Sequence, residues 1–125
     1  MSFKYSQSTG VLTHDEGGLI GTGYSGHGDG VNNPEMQNVV GIGPVPQGLY
    51  TIQPPTEHPK LGRLAMALLP SSENTMFGRS AFFMHGDNSA ANHTASEGCI
   101  IMAPVIRNAV ASAVASGDNQ LEVVA

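Results

Sequence analysis

The chain has 125 residues, enough for one domain with a hydrophobic core that needs no disulfide or metal to hold it together. Sixteen glycines, eight prolines and a charged fraction of 12% are typical of a turn-rich β protein and unlike a helical bundle. A formal net charge of -5, with only five lysines and arginines, leaves no basic stripe for phosphates. We therefore expect one mainly β domain over residues 1–125 that does not bind nucleic acid.

Short apolar or alternating runs between turn residues predict the strands. In chain order these runs are FKYS (3–6), GVLTH (10–14), GLYTIQ (48–53), LAMALLP (64–70), SAFFMH (80–85) and NQLEVVA (119–125). Residues 21–34 are almost all turn formers and predict a long mobile surface loop. GTGYSG, at 21–26, matches a dinucleotide-binding pattern by letter, but the sequence after it cannot open a helix, so we discard that site.

One segment, PVIRNAVASAVASG at 104–117, has helical periodicity. Pro104 suits the first helical turn and Gly117 the C-terminal cap. The predicted apolar face consists of Val105, Ile106, Ala109, Val110, Ala113 and Val114. The sequence therefore predicts a helix in the C-terminal half that packs on the sheet. No run approaches the ~20 apolar residues of a membrane span.

The segment MHGDNSAANHTASEGCII, residues 84–101, contains the single cysteine, Cys99, with His85 fourteen positions before it. A thiol becomes an effective nucleophile when a base such as an imidazole lies within hydrogen-bond reach. Gly98 allows a tight turn whose amides, at and beside Cys99, point at a developing oxyanion. The histidine precedes the cysteine, the reverse of the order in papain-like enzymes. The alternative is that Cys99 is a small buried apolar residue and His85 an ordinary strand-end histidine.

The same segment also offers residue types that bind zinc. The candidate ligands are His85, Asp87, His93 and Cys99, with His27 and Asp29 in the glycine-rich loop. No closely spaced ligand pair occurs, so we expect no metal and no other cofactor.

Two separated motifs are similar to one family. HG at 85–86 followed by S-x-G-C-I at 96–100 resembles the catalytic signature of L,D-transpeptidase (YkuD-like) domains, and GPVPQGLYTI at 43–52 resembles their upstream Pro-x-Gly-x-Tyr-x-Ile strand. The segments YSQSTGVL, YSGHGDGVNNP, HPKLGRLAMALLP and GRSAFFMHGDN extend the likeness to the small L,D-transpeptidase-related effectors of type VI secretion (the Tlde1 or DUF2778-like group). The resemblance implies an L,D-transpeptidase-like β-sandwich with one helix in its C-terminal half.

The resemblance also implies roles for individual residues. Cys99 is the nucleophile, His85 its base, the amides of Gly98 and Cys99 the oxyanion donors, and Ser96 a support for the turn. The third catalytic group falls to one of three residues: the carbonyl of Gly86, or alternatively Asp87 or His93.

The chain departs from the family pattern at two positions. Ile101 stands where many members have an arginine, and Glu97 where they have histidine or lysine. In this chain another cation must therefore hold the substrate carboxylate. Our candidate is Arg79, on the predicted strand that leads to His85. An exposed strand arginine without such a role is the alternative.

The function implied is a cysteine-dependent L,D-carboxypeptidase or L,D-transpeptidase that removes or exchanges the terminal D-alanine of peptidoglycan tetrapeptide stems. The alternatives are a zinc-dependent cell-wall amidase and a non-catalytic β domain that binds wall fragments or a partner through the glycine loop. The expected partners are these stem peptides, a cognate immunity protein and a secretion-system component. The first ten residues contain no apolar core of secretory-signal length. We therefore expect synthesis in the cytoplasm without a cleaved signal, followed by secretion and action in the periplasm of a target cell.

Overall fold

This computed structural model describes residues 2–16, 18–87, 96 and 98–125. Ten strands and one α-helix form the main regular structure of these residues. The strands are β1 (Ser2–Ser6), β2 (Val11–His14), β3 (Gly18–Thr22), β4 (Tyr24–Ser25), β5 (Gly48–Ile52), β6 (Thr56–His58), β7 (Gly62–Pro70), β8 (Phe83–His85), β9 (Ile100–Ile101) and β10 (Gln120–Val124). The helix, α1, spans Pro104–Ala115. The prediction of a mainly β fold with one helix in the C-terminal half is confirmed.

The strands hydrogen-bond in the order β3-β2-β1-β10-β5-β7-β8-β9-β4, with β6 added beside β7. β1 pairs with β10 and β8 with β9 in parallel, whereas the other pairs are antiparallel. The first and last strands of this order, β3 and β4, are separated along the chain by Gly23 alone. Because its two ends are joined by one residue, the sheet must fold back on itself around the core.

The motif at 43–52 forms part of this core. Along β5 the side chains of Tyr50 and Ile52 point inward and are almost fully buried, as the two-residue period of a strand requires. The Tyr50 hydroxyl donates to the carbonyl of Pro46 at 2.7 Å. A Cβ on Gly48 would lie 2.4 Å from the side chain of Asn74, so only glycine fits there. The motif thus sets the packing that starts β5.

Helix α1 begins at Pro104 as predicted, and four of the six residues of its predicted apolar face pack on the core. Val110 and Val114 are buried, whereas Val105 is 74% exposed and Ala109 is also exposed. The third buried residue of the helix is Arg107, at the spacing that continues the valine stripe. The predicted face was therefore wrong at Val105 and Ala109. No helix among the described residues combines the length and apolar composition that crossing a membrane requires.

The prediction of a long surface loop at 21–34 was wrong where the chain forms β4. Tyr24 and Ser25 are buried and pair with β9. A Cβ on Gly23 would lie 1.8 Å from the carbonyl oxygen of Ile101, so the glycine permits a close approach of the two backbones. The turn-forming residues here let the chain pack closely against β9, the strand that follows Cys99.

Candidate active site

The parallel pairing of β8 with β9 brings His85 and Cys99 to the same cleft. β8 ends at His85, and Cys99 immediately precedes β9. Met84 lies opposite Ile100, and both are fully buried in the core. Since side chains alternate along a strand, the neighbouring His85 and Cys99 face the other side, where both line a cleft of about 660 Å³. The fourteen-residue separation in sequence is therefore closed by one strand pairing.

His85 is held in one orientation and one tautomer. Its side chain is 3% exposed, and Nδ1 lies 2.8 Å from the carbonyl oxygen of Gly86. A carbonyl only accepts, so Nδ1 carries the proton and Nε2 keeps its lone pair. No described residue hydrogen-bonds to Nε2. The imidazole thus presents a basic nitrogen.

The pKa of His85 is lowered, chiefly because burial disfavours the imidazolium. The hydrogen bond to the Gly86 carbonyl acts in the opposite direction, the positive charge of Arg107 and the His58 ring lower the pKa further, and Asp87 raises it. His85 is therefore predominantly neutral at neutral pH, which is the protonation state of a general base.

The turn that presents Cys99 is organised by one hydroxyl. Ser96 is fully buried, and its Oγ accepts hydrogen bonds from the amides of Gly26 at 2.9 Å and Gly98 at 3.0 Å. The same hydroxyl donates to the carbonyl of Cys99 at 2.7 Å. Ser96 therefore closes the turn and ties it to the glycine-rich segment, and the Gly98 amide is directed into the turn.

Gly98 provides space as well as a turn. Its φ is +136°, a conformation that other residues rarely adopt. A Cβ there would lie 2.4 Å from Nη2 of Arg79 and 2.8 Å from the ring of Phe82. The guanidinium of Arg79 in turn lies over the Phe82 ring, 5.1 Å from its centroid. The residue before Cys99 must therefore be a glycine for the arginine to pack.

Arg79 lies in the connection between β7 and β8 and not on the strand where the sequence placed it. Its Nη1 donates to the carbonyls of Gln37 at 2.6 Å and Pro44 at 2.7 Å, and its Nη2 to that of Gly43 at 2.9 Å. Only 7% of the residue is exposed. Arg79 thus fastens the 37–44 segment beside the cleft. Burial lowers its pKa, with Tyr50 and Cys99 opposing the shift, so its charge interacts with the thiol.

The three candidates for the third catalytic group have different surroundings. The carbonyl of Gly86 contacts Nδ1 of His85. Asp87 accepts a hydrogen bond from the hydroxyl of Tyr24 at 2.7 Å and is not among the described residues that line the cleft. His93 lies outside the described residues. The geometry therefore favours the Gly86 carbonyl as the group that orients His85.

Sequence reasoning missed Arg107, which packs on Gly86, the residue whose carbonyl orients His85. Its Nε donates to the carbonyl of Met102 at 3.0 Å and its Nη1 to that of Arg63 at 2.7 Å. A Cβ on Gly86 would lie 2.7 Å from Nη2 of Arg107, so the guanidinium packs directly on the residue that orients His85. An arginine in line with the buried valines of α1 was the available signal.

The zinc candidates do not form a cluster within the part of the chain that the structure describes. No three His, Cys, Asp or Glu side chains in that part lie close enough together to hold a metal ion. Asp29 belongs to a short 3₁₀ turn, Gly28–Gly30, and His27 directly precedes it. Because His93 lies outside the described residues, the expectation of no metal stays a prediction and the zinc amidase stays the alternative.

The imidazole of His85 and the thiol of Cys99 thus line one cleft of a mainly β domain, as in proteins that have a cysteine–histidine site. The Tlde1 domain family matches residues 20–124, and the chain belongs to this family. The resemblance to the Tlde1 group is thereby confirmed, and membership supports a type VI secretion effector context. Searches of curated proteins and of solved structures found no match.

Proposed function

We propose that this protein is a cysteine-dependent enzyme of peptidoglycan, an L,D-carboxypeptidase and/or L,D-transpeptidase on tetrapeptide stems. The observation that carries the proposal is the placement of His85 and Cys99 on one cleft, with His85 held so that Nε2 is the basic nitrogen. A thiol and a neutral imidazole on one cleft are the components of acyl transfer through a thioester.

The reaction proceeds in two stages. Nε2 of His85 takes the thiol proton while Sγ of Cys99 attacks the carbonyl carbon that precedes the terminal D-alanine. The tetrahedral intermediate collapses, the C–N bond breaks, and the leaving amine takes the proton from the imidazolium. Water or the amine of another D-amino acid then attacks the thioester, gives up its proton to His85 and releases the thiol. Hydrolysis and exchange thus share one acyl-enzyme.

The developing oxyanion needs a nearby donor. We assign this role first to the amide of Cys99. The Gly98 amide already donates to Oγ of Ser96 at 3.0 Å, so an oxyanion contact from it requires a shared hydrogen bond. The positive charge of Arg79 favours the thiolate form of Cys99. The turn therefore contributes through both its backbone and the arginine packed on it.

Membership of the Tlde1 family supports a proposal for the biological setting. An effector of type VI secretion that weakens the wall requires a secretion-system component for delivery and a cognate immunity protein in the producing cell. We propose that the protein is secreted and acts in the periplasm of the target cell. Family membership supports this setting.

Mass spectrometry of purified tetrapeptide muropeptides, with and without free D-amino acid, tests the proposal. We expect loss or exchange of the terminal D-alanine with the wild-type protein, no reaction with Cys99→Ala, and no effect of a chelator. The variant Ser112→Ala, an exposed change on α1, is the matched control. Chelator-sensitive cleavage that survives Cys99→Ala would support the zinc amidase instead. Unchanged muropeptides with active-site-intact protein would support the binding domain.

A further inference from the structure

The cleft that contains His85 and Cys99 is positively charged in an acidic protein. The chain has ten aspartates and glutamates, yet none is among the described residues that line the cleft. Two of the five lysines and arginines, Lys60 and Arg79, do line it, together with His58 and His85. The described lining of the cleft thus carries charge opposite to that of the whole protein, which favours an anionic ligand.

The two cations differ in what they can offer to a ligand. Arg79 donates to three backbone carbonyls and is 7% exposed, so its guanidinium holds the protein together. Lys60 is exposed, and no carboxylate of a described residue forms an ion pair with it. The ammonium of Lys60 is therefore the cation of the cleft that is best placed to meet a ligand.

The backbone beside Lys60 is fixed by His58. Nδ1 of His58 accepts hydrogen bonds from the amides of Lys60 at 3.0 Å and Leu61 at 3.2 Å. The neutral ring therefore carries its proton on Nε2 and adds an N–H donor to this side of the cleft. The ring also meets the edge of Phe83, with centroids 5.2 Å apart and planes at 70°. His58 thus anchors the turn that presents Lys60.

We propose that Lys60, presented by the His58 turn, binds the terminal carboxylate of the peptide that enters the cleft. This inference rests on the proposed function and deepens it. An ammonium is a strong partner for a carboxylate, and no acidic residue is among the described residues that line the cleft beside it. The protein should therefore bind a peptide that ends in a free carboxylate more tightly than the same peptide capped as a carboxamide.

Calorimetric titration of the Cys99→Ala protein, which cannot turn over its substrate, tests the inference. The ligands are two synthetic stem tetrapeptides that differ only at the terminus, one a carboxylate and the other a carboxamide. We expect the carboxamide to bind about tenfold more weakly, in the range of a charge-assisted contact. Adding Lys60→Met should weaken carboxylate binding by a similar factor and leave carboxamide binding unchanged. Lys60→Arg should retain the preference.

Lys4→Met is the control, because Lys4 is an exposed lysine on β1 that does not line the cleft. Equal binding of the two peptides, or a preference that Lys60→Met leaves intact, would overturn the inference without touching the proposed function. A carboxylate preference that depends on Lys60, without turnover by the wild-type protein, would support the inference and overturn the proposed function. Binding of neither peptide would overturn both.

Discussion

Replacing Ser96 with alanine tests whether one hydroxyl holds the cysteine turn. The change removes the acceptor for the buried amides of Gly26 and Gly98 and the donor to the carbonyl of Cys99. It alters no other contact of the side chain that the structure describes. All three backbone groups must then find other partners in a site that excludes the bulk of solvent.

The size of the effect follows from these three bonds. At about 1 kcal/mol net for each hydrogen bond, Ser96→Ala lowers the free energy of unfolding by about 3 kcal/mol. At ~2.1 cal/mol/K per residue, unfolding 125 residues carries an entropy of about 0.26 kcal/mol/K. The melting temperature should therefore fall by about 11 °C.

Thermal unfolding followed by circular dichroism measures this shift, and the rate of Cys99 alkylation reports on the turn itself. The control is Ser112→Ala, an exposed serine on α1, whose effect should stay within about 0.5 kcal/mol. We expect Ser96→Ala to change the alkylation rate as well as the melting temperature. A fall of less than about 3 °C would refute the reasoning that these bonds carry the turn.

Two further predictions concern the histidine and the glycine before the cysteine. Because burial lowers the pKa of His85, the imidazole stays neutral as pH falls through its ordinary value, and the acid limb of activity should lie below about pH 6.5. Arg107→Gln removes a positive charge that lowers the pKa of His85, so the acid limb of activity should move to higher pH. Arg107→Lys keeps the charge and should leave the acid limb where it is. Profiles of rate against pH measure both outcomes. Gly98→Ala should lower the free energy of unfolding by more than ~2 kcal/mol in urea titrations. Gly62 also has a positive φ, but no atom lies within 4 Å of the position that a Cβ would take. A smaller loss of unfolding free energy in Gly62→Ala would therefore show the cost of the clash with Arg79 in Gly98→Ala.

Sequence patterns predicted six of the ten strands, because alternation over several residues is visible without the partner strand, but they missed the five-residue strand β3 and the short strand β6. The sequence contains no such signal for β4 and β9, which have two residues each. These strands exist only because each lies against a neighbour, and Gly23 permits their close contact. The local order of His85, Ser96 and Cys99 was informative, since the cysteine turn and the strand end are each continuous in the chain.

The two arginines show where sequence reasoning fails. The position of Arg79 depends on carbonyls of residues 37–44, and that of Arg107 on carbonyls of Arg63 and Met102. Backbone carbonyls are the same for every residue type, so no pattern of letters shows that a distant loop will offer them. The prediction that Arg79 meets substrate came from its place before His85 and stays a prediction, whereas the prediction of a purely apolar helix face omitted Arg107.

These arginines also explain why both halves of the motif contain a glycine. Gly86, after the histidine, admits the guanidinium of Arg107, and Gly98, before the cysteine, admits that of Arg79. A Cβ at either position would lie within 2.7 Å of an arginine nitrogen. His85 and Cys99 thus each sit beside a glycine on which a buried cation packs. The glycines of the motif are required for packing as much as for chemistry, and a chain that kept only the histidine and cysteine would lack the support for both.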